Sequence, residues 1–198
     1  DSLWSVLTGE RVDAMLHTAL DASPDSYARN VSGTGKWLQE ARQAGVETQI
    51  FLSSLSAAED ALAAYGRAKR ALEQKFLDSG EVVFRLGVVV GPGGMFARMT
   101  DSATRFPVVP MLDGGAQLLY IIGIDTLAQI IRDTIAGKGE GLRGRAWHLP
   151  QAEPYTLRQV IEAIVRHEGR RRTLVALPAA PIAGLLSLFE RQRFVHLP

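Results

Sequence analysis

The stretch that decides the fold is TQIFLSSLSAAEDALAAYGRAK, residues 48–69. It begins with an apolar run that is typical of a buried strand and that ends at two serines, Ser53 and Ser54. After a polar turn it continues into a helix predicted over 59–77, where Tyr65 and Lys69 are four residues apart and share one face. In an open α/β sheet, ligands bind just beyond the carboxyl ends of the strands. The stretch therefore predicts one crevice that both the serine pair and the Tyr/Lys face can reach.

The tyrosine and the lysine are suited to proton transfer. A free tyrosine titrates near ~10, but a lysine ammonium one helical turn away favours the phenolate. Such a tyrosine can exchange a proton with a carbonyl or hydroxyl group near neutral pH, while Ser54 holds the substrate oxygen. Because Y-x-x-x-K spacing is common on helix surfaces, the hypothesis depends on its position after a strand that ends in Ser-Ser.

The flanking sequence predicts a parallel sheet. Nearly continuous apolar runs at 12–20 and 82–90 are typical of strands that are buried on both faces. Helices predicted over 23–44 and 59–77 alternate with the strands, as in right-handed βαβ units. His17, inside the first run, is predicted to be a packed core residue rather than a ligand.

The remaining sequence is predicted to complete this domain and to add a small second region. Periodicity is lost over 95–119, which is interpreted as a loop-rich cover of a domain spanning 1–149. The segment 150–198 contains an amphipathic helix at 156–168 and a short strand at 173–177. We interpret it as a small substrate-binding region.

Composition excludes several classes of protein. The 198 residues are 46% hydrophobic and 22% charged, which is typical of an ordinary globular chain. The 22 Lys+Arg against 21 Asp+Glu, a formal net charge of +1, give no field for nucleic acid or an anionic membrane. The sequence contains no cysteine and no His/Asp/Glu cluster with ligand spacing, so no metal is predicted. No apolar run reaches membrane-span length, and a cytoplasmic location is expected by default.

The chain resembles the short-chain dehydrogenase/reductase superfamily, in its extended and atypical branch, the NAD-dependent epimerase/dehydratase family. Matching pieces occur in order over most of the chain: VDAMLHTAL, DSYARNVSGTG, QIFLSS, YGRAK, RLGVVVGPG, IGIDTLA, WHL and PYTLRQV. The resemblance implies a Rossmann-like, doubly wound α/β sheet that is incomplete at its N-terminus. It also implies NAD or NADP as cofactor and a homodimer formed through the two helices at 27–44 and 59–77.

Residue by residue, the resemblance implies a catalytic set of Tyr65, Lys69, Ser54 and Asn30. Tyr65 would be the general acid/base, Lys69 would favour its phenolate and contact the nicotinamide ribose, and Ser54 would bind the reacting carbonyl. Asn30 would support the lysine, and Ser53 is the alternative for the serine. The implied cofactor contacts, besides Lys69, are Ala19, Leu20, Leu86 and Val88.

The glycine fingerprint of the family, which binds the dinucleotide phosphates, would lie upstream of residue 12 and is not in this sequence. The chain is therefore interpreted as a fragment of a longer oxidoreductase. The alternative is a natural short form, in which the strand at 12–20 would be an open edge that invites pairing. A G-x-G-x-x-G string at Gly139, Gly141 and Gly144 follows a helix and precedes a strand, the reverse of the required context, and is assigned to a surface loop.

Three functions remain open. The first is an NAD(P)-dependent oxidoreductase or epimerase, and the second is a non-catalytic subunit or sensor that keeps the fold. The third, a nucleotide-sugar epimerase or dehydratase, is disfavoured because Ser54 and Tyr65 are 11 positions apart, a shorter spacing than the resemblance implies for sugar-nucleotide epimerases. Met95 and Phe96 are candidate substrate contacts, with packing in the core as the equal alternative. If they line a pocket, a lipophilic or aromatic substrate is favoured over a free sugar.

Overall fold

The computed structural model describes residues 5, 7, 9, 11–19, 21, 23 and 26–178. The chain divides into two compact units, the first from 1–89 and 121–151 and the second from 90–120 and 152–198. The sequence also predicts a helix over residues 1–7 and an apolar C-terminal segment at 177–189, and both lie largely outside the described residues.

The first unit contains the parallel α/β sheet expected from the sequence. Its elements are β1 Ala14–His17, α1 Tyr27–Gln43, β2 Thr48–Ser54, α2 Ala64–Asp78, β3 Val82–Leu86, β4 Val88–Val90, β7 Ile121–Gly123, α4 Ile124–Asp133 and β8 Ala146–His148. Four of the strands form one sheet in the order β1-β2-β3-β8, and each neighbouring pair is parallel. Their carboxyl ends therefore meet at one edge, which is where β2 presents Ser54.

Both faces of this sheet are covered, which explains the continuous apolar runs in the sequence. Alternate residues of β2 and β3 point to opposite faces. Ile50 and Phe84 lie in a cluster that packs with α4 residues such as Leu127. Phe51 and Val83 lie in a cluster on the other face, with Leu38 of α1 and with Leu72 and Phe76 of α2. The first unit is thus a doubly wound, Rossmann-like layer structure, and the prediction of fold class is confirmed.

The structure corrects three boundaries in this unit. The run at 12–20 forms a strand of only four residues, and Leu16 is 38% exposed because β1 lies at the edge of the described sheet. The run at 82–90 is divided at Gly87 into β3 and β4. The helix expected from residue 59 begins at Ala64, since the preceding residues form turns instead.

The second unit contradicts the expectation of a loop-rich segment at 95–119. Its elements are α3 Gly94–Arg105, β5 Val108–Leu112, β6 Leu118–Leu119, β9 Tyr155–Thr156, α5 Leu157–His167 and β10 Thr173–Leu177. Helix α5 begins with a capping box between Thr156 and Gln159. A core of α3, β5 and α5 side chains, including Ala103, Met111 and Ile161, joins this segment to the C-terminal region.

His17 is a packed residue, as predicted. It is 3% exposed, its Nε2 atom lies 2.9 Å from Oε1 of Gln49, and its ring makes an edge contact with Phe76 at 4.8 Å between centroids. Burial lowers the pKa of His17 below its usual 6.5, and the Gln49 hydrogen bond opposes this change only in part.

We expect His17 to make folding sensitive to mild acid. Below pH 6.5 the unfolded chain takes up a proton at this histidine while the folded chain does not. The contribution of His17 to the free energy of unfolding is therefore fully present above pH 6.5. It is lost as the pH is lowered towards the folded pKa, by up to about 1.4 kcal/mol per pH unit. His17→Gln should flatten this slope in urea unfolding between about pH 7.5 and 5.

The control for this measurement is His167→Gln, because His167 is exposed near the end of α5. It should leave the slope between pH 6.5 and 5 as in the wild type. An unchanged slope in His17→Gln would show that another group carries the acid sensitivity.

Candidate active site

Strand β2 ends at the serine pair, and the two hydroxyl groups have different environments. Ser54 is the last residue of the strand, half-buried, and its Oγ accepts a hydrogen bond of 3.1 Å from the backbone N–H of Ser56. Ser53 is 4% exposed, and its Oγ donates to Oε1 of Glu73 at 2.6 Å. The hydroxyl of Ser53 is thus committed to a buried carboxylate, whereas Ser54 stands at the open end of the strand.

Helix α2 is held close to the loop that follows β2. Gly66, in its first turn, is buried, and a Cβ atom at this position would overlap the carbonyl oxygen of Ser56 and lie 2.9 Å from the Cβ of Ala61. Only glycine allows this approach without movement of the backbone. The loop therefore fixes the start of the helix, and with it Tyr65, directly after the serine strand.

Tyr65 and Lys69 lie on one face of α2, as predicted. Lys69 Nζ is 6.0 Å from the centre of the Tyr65 ring and 4.7 Å from the centre of the Phe51 ring. It donates a 2.7 Å hydrogen bond to the carbonyl oxygen of Leu52, two residues before Ser54. Tyr65 is 42% exposed and Lys69 is 4% exposed. The tyrosine thus faces solvent, while the lysine is set against the strand.

Burial alters the proton affinity of Lys69. It lowers the pKa of the ammonium from 10.5 to about 8, and the negative charge of Glu73 opposes the change. Lys69 is therefore mainly an ammonium at neutral pH and becomes neutral as the pH rises above about 8.

Asn30 lies on α1 and is 7% exposed. Its side chain makes two hydrogen bonds of 2.8 Å with the backbone of Asp21, accepting from the N–H and donating to the carbonyl oxygen. The contacts described for Asn30 therefore fix the segment that follows β1. Its expected support of Lys69 stays a prediction.

The residues expected to contact the cofactor fall into three groups. Ala19, just after β1, is exposed at the carboxyl edge of the sheet. Leu20 lies outside the described residues. Leu86 and Val88 are both 8% exposed, and the Leu86 side chain packs in the core, so these two could meet a ligand chiefly through their backbone.

The expected substrate contacts Met95 and Phe96 belong to the second unit, at the start of α3. Met95 is 64% exposed, whereas Phe96 packs against the core of that unit. The string Gly139, Gly141, Gly144 connects the end of the α4 helical segment to β8. It therefore lacks the strand-turn-helix context of a phosphate-binding loop, as the sequence indicated.

Sequence reasoning missed two residues that shape this site, Glu73 and Arg85. Glu73 is fully buried, and Arg85 donates to both of its carboxylate oxygens, with Nη2 at 2.7 Å and Nε at 2.9 Å and 3.2 Å. A signal for Glu73 existed, because it follows Lys69 by four residues and so shares its helix face. Arg85 carried no comparable local signal.

The structure defines a Rossmann-like unit in which Tyr65 and Lys69 share one face of α2, beside the strand that ends at Ser54. Solved structures with this fold include an epimerase from Methanothermobacter thermautotrophicus, at 17% identity and a TM-score of 0.74, covering 89% of this chain and 62% of that one. They also include UDP-glucose-4-epimerase from Stenotrophomonas maltophila, with bound NAD and formylated UDP-arabinopyranose, at 20% identity and a TM-score of 0.73, covering 88% and 67%. A third is RMD from Pseudomonas aeruginosa complexed with NADPH, at 18% identity and a TM-score of 0.65, covering 83% and 69%.

These neighbours share the fold with the chain at low sequence identity. The chain spans 62–69% of the length of the three structures described above. No protein-family model matches it, and no curated protein sequence matches it. Within 26–178 and the few earlier residues that the structure describes, no helix is both long enough and apolar enough to span a membrane.

Proposed function

We propose that the chain is the catalytic part of an NAD(P)-dependent oxidoreductase or epimerase of the short-chain dehydrogenase/reductase type. The observation that carries this proposal is the pairing of Tyr65 with the buried Lys69 ammonium beside the strand that ends at Ser54. The fold of the solved neighbours, several of which hold NAD or NADPH, supports the same class.

The side chains of this chain have distinct proposed roles. Tyr65 exchanges a proton with the substrate oxygen at its Oη atom, because it shares one face of α2 with Lys69 beside the strand that ends at Ser54. Ser54 donates a hydrogen bond to that oxygen, since the hydroxyl of Ser53 is already committed to Glu73. Lys69 supplies the positive charge. The nicotinamide cofactor, when bound, supplies or accepts the hydride.

The donors at the carboxyl edge fit the ribose end of such a cofactor. An ammonium carries three N–H donors, and Leu52 accepts one from Lys69, so the lysine has hydrogen-bonding capacity for a ribose hydroxyl. The exposed residue Ala19 and the backbone of Leu86 and Val88 are the other proposed contacts. Either NAD or NADP is compatible with these residues.

Titration with NADH and with NADPH, followed by nicotinamide fluorescence, tests this proposal directly. We expect saturable binding of at least one coenzyme, weakened about tenfold or more in Lys69→Met, because a charge-assisted hydrogen bond is lost. Lys36→Met is the control, since Lys36 is exposed on α1 and pairs only with Glu40 among the described ion pairs. An absence of binding by the wild-type chain would contradict the proposal.

A second candidate is a nucleotide-sugar epimerase or dehydratase proper. The structural neighbours favour it, because they include UDP-glucose-4-epimerase and a dTDP-glucose 4,6-dehydratase from Bacillus anthracis in complex with NAD. The 11-residue separation of Ser54 and Tyr65 favours another carbonyl or alcohol substrate. Turnover of UDP- and dTDP-hexoses, compared with apolar ketones and alcohols, would distinguish the two candidates.

A further inference from the structure

Glu73 has a fully buried carboxylate with hydrogen-bond partners at both oxygens, and the proposed chemistry does not use it. Its side chain is fully buried, one helical turn after Lys69. Ser53 donates to one of its oxygens, and Arg85 donates to both. Arg70 lies 3.7 Å from the second oxygen. A charge buried to this degree is costly unless it is fully paired, and here it is paired.

The donors to Glu73 come from two neighbouring strands. Ser53 of β2 and Arg85 of β3 are register partners, so their side chains lie side by side on the face that α2 covers. One turn earlier, Lys69 donates to the carbonyl oxygen of Leu52, the residue before Ser53. Two successive turns of α2 therefore hold two successive residues of β2.

We propose that Glu73 is the positioning residue of the Tyr65–Lys69 pair: it fixes α2 against the serine-bearing strand and supplies the negative charge beside the buried ammonium. This inference rests on the proposed function for its catalytic meaning, but its structural content is independent of activity. Arg85 and Ser53 hold the Glu73 carboxylate in place through their hydrogen bonds. A shift of α2 along β2 would break the Lys69–Leu52 hydrogen bond and move Tyr65 away from the end of β2.

The charge on Glu73 has a measurable consequence at Lys69. Burial favours the neutral amine, and Glu73 is the charge that opposes it. The other titratable and charged groups around this pair are Tyr65 and Arg70 on α2, Arg85 on β3 and His148 on β8, whose Nε2 lies 3.2 Å from Nη1 of Arg85. Glu59, the other carboxylate that pairs with Arg70, is 89% exposed, so Glu73 is the buried counter-charge of the Lys69 ammonium.

The test is a pH titration of Lys69 by NMR, in the full chain labelled with ¹³C at lysine Cε. The Lys69 signal is assigned as the one that is missing from the spectrum of K69R. In the wild type we expect the midpoint near 8. In Glu73→Gln the midpoint of the Lys69 titration should fall by at least about 0.5 pH unit, which is about a threefold change in proton affinity. Because Glu73→Gln leaves Arg85 without its partner and could unfold, the double variant E73Q/R85Q replaces both charges with amides. It should fold and show a fall in the same direction.

Glu59→Gln is the matched control, because Glu59 is 89% exposed and pairs with the same Arg70 as Glu73. It should leave the midpoint within about 0.2 unit of the wild type, as expected for a screened surface pair. An unchanged midpoint in E73Q/R85Q, an equal fall in E59Q, or unfolding of the double variant would each overturn the proposal. Coenzyme titration of the wild type tests the proposed function separately. A negative result for the role of Glu73 is therefore distinguishable from a negative result for the proposed function.

Discussion

Tyr65→Phe is expected to abolish turnover while leaving the coenzyme bound. Removing the phenolic hydroxyl removes the proton donor and acceptor at the reacting oxygen, and general acid/base catalysis of this kind is worth roughly 100- to 10,000-fold in kcat. The ring stays in position over the start of α2, so the affinity for NADH or NADPH should change by no more than about threefold, which is about 0.65 kcal/mol. Steady-state kinetics and a fluorescence titration on the same sample measure the two effects.

Tyr27→Phe is the control for this substitution. Tyr27 on α1 is 41% exposed against 42% for Tyr65, so the two changes remove a hydroxyl from equally exposed rings of the same unit. Tyr27→Phe should keep the wild-type kcat. If Tyr65→Phe also stayed within a few-fold of the wild type, Tyr65 would not be the acid/base. A wild-type chain that binds coenzyme but turns over no substrate would support the non-catalytic alternative instead.

Gly66→Ala is expected to destabilise the chain and to disturb the site. The added methyl group meets the carbonyl oxygen of Ser56 and the Cβ of Ala61, and because the first of these is backbone, the loop after β2 must move. Overpacking of this kind costs about 1–3 kcal/mol or more. For a chain of this size we expect the melting temperature to fall by about 2–4 °C per kcal/mol, measured by circular dichroism.

The same substitution at Gly33 provides a matched control, because Gly33 is also within a helix and has open space where its Cβ would be built. Gly33→Ala should leave stability unchanged or increase it by about 0.5–1 kcal/mol, since alanine is the better helix former. Equal effects at the two glycines would show that the close approach of α2 to the Ser56 loop is unimportant. In Gly66→Ala we also expect a loss of turnover, because Tyr65 moves with the start of the helix.

The order of strands and helices in the first unit could be predicted because local sequence patterns indicate each element. Continuous apolar runs such as the one in β2 report burial on both faces of a sheet, and the i, i+4 spacing of Tyr65 and Lys69 reports a shared helix face. Both patterns need only neighbouring residues to be read. The same holds for Ser54 as the last residue of β2 and for the amphipathic helix α5.

Helix α3 was missed because its local signal is weak. It follows a run of glycines, and Ala103 is the residue of this helix that the structure describes as fully buried, while Met95 near its start is 64% exposed. Its apolar residues Phe96, Met99 and Ala103 have helical spacing, but they gain a partner surface only when β5 and α5 pack against them. Tertiary packing stabilises this helix more than intrinsic propensity does.

The sequence by itself determined the class of fold, the βαβ order, and the Ser54, Tyr65 and Lys69 positions, because each follows from periodicity or spacing within one or two elements. Only the tertiary structure decided which serine hydroxyl donates to a buried carboxylate, since the partner of Ser53 is Glu73, 20 residues further along the chain. It alone brought Arg85 to Glu73, and it placed β1 at the edge of the described four-stranded sheet. Hydrogen bonds and burial of this kind arise between residues that approach one another only when the strands pair and the helices pack on them.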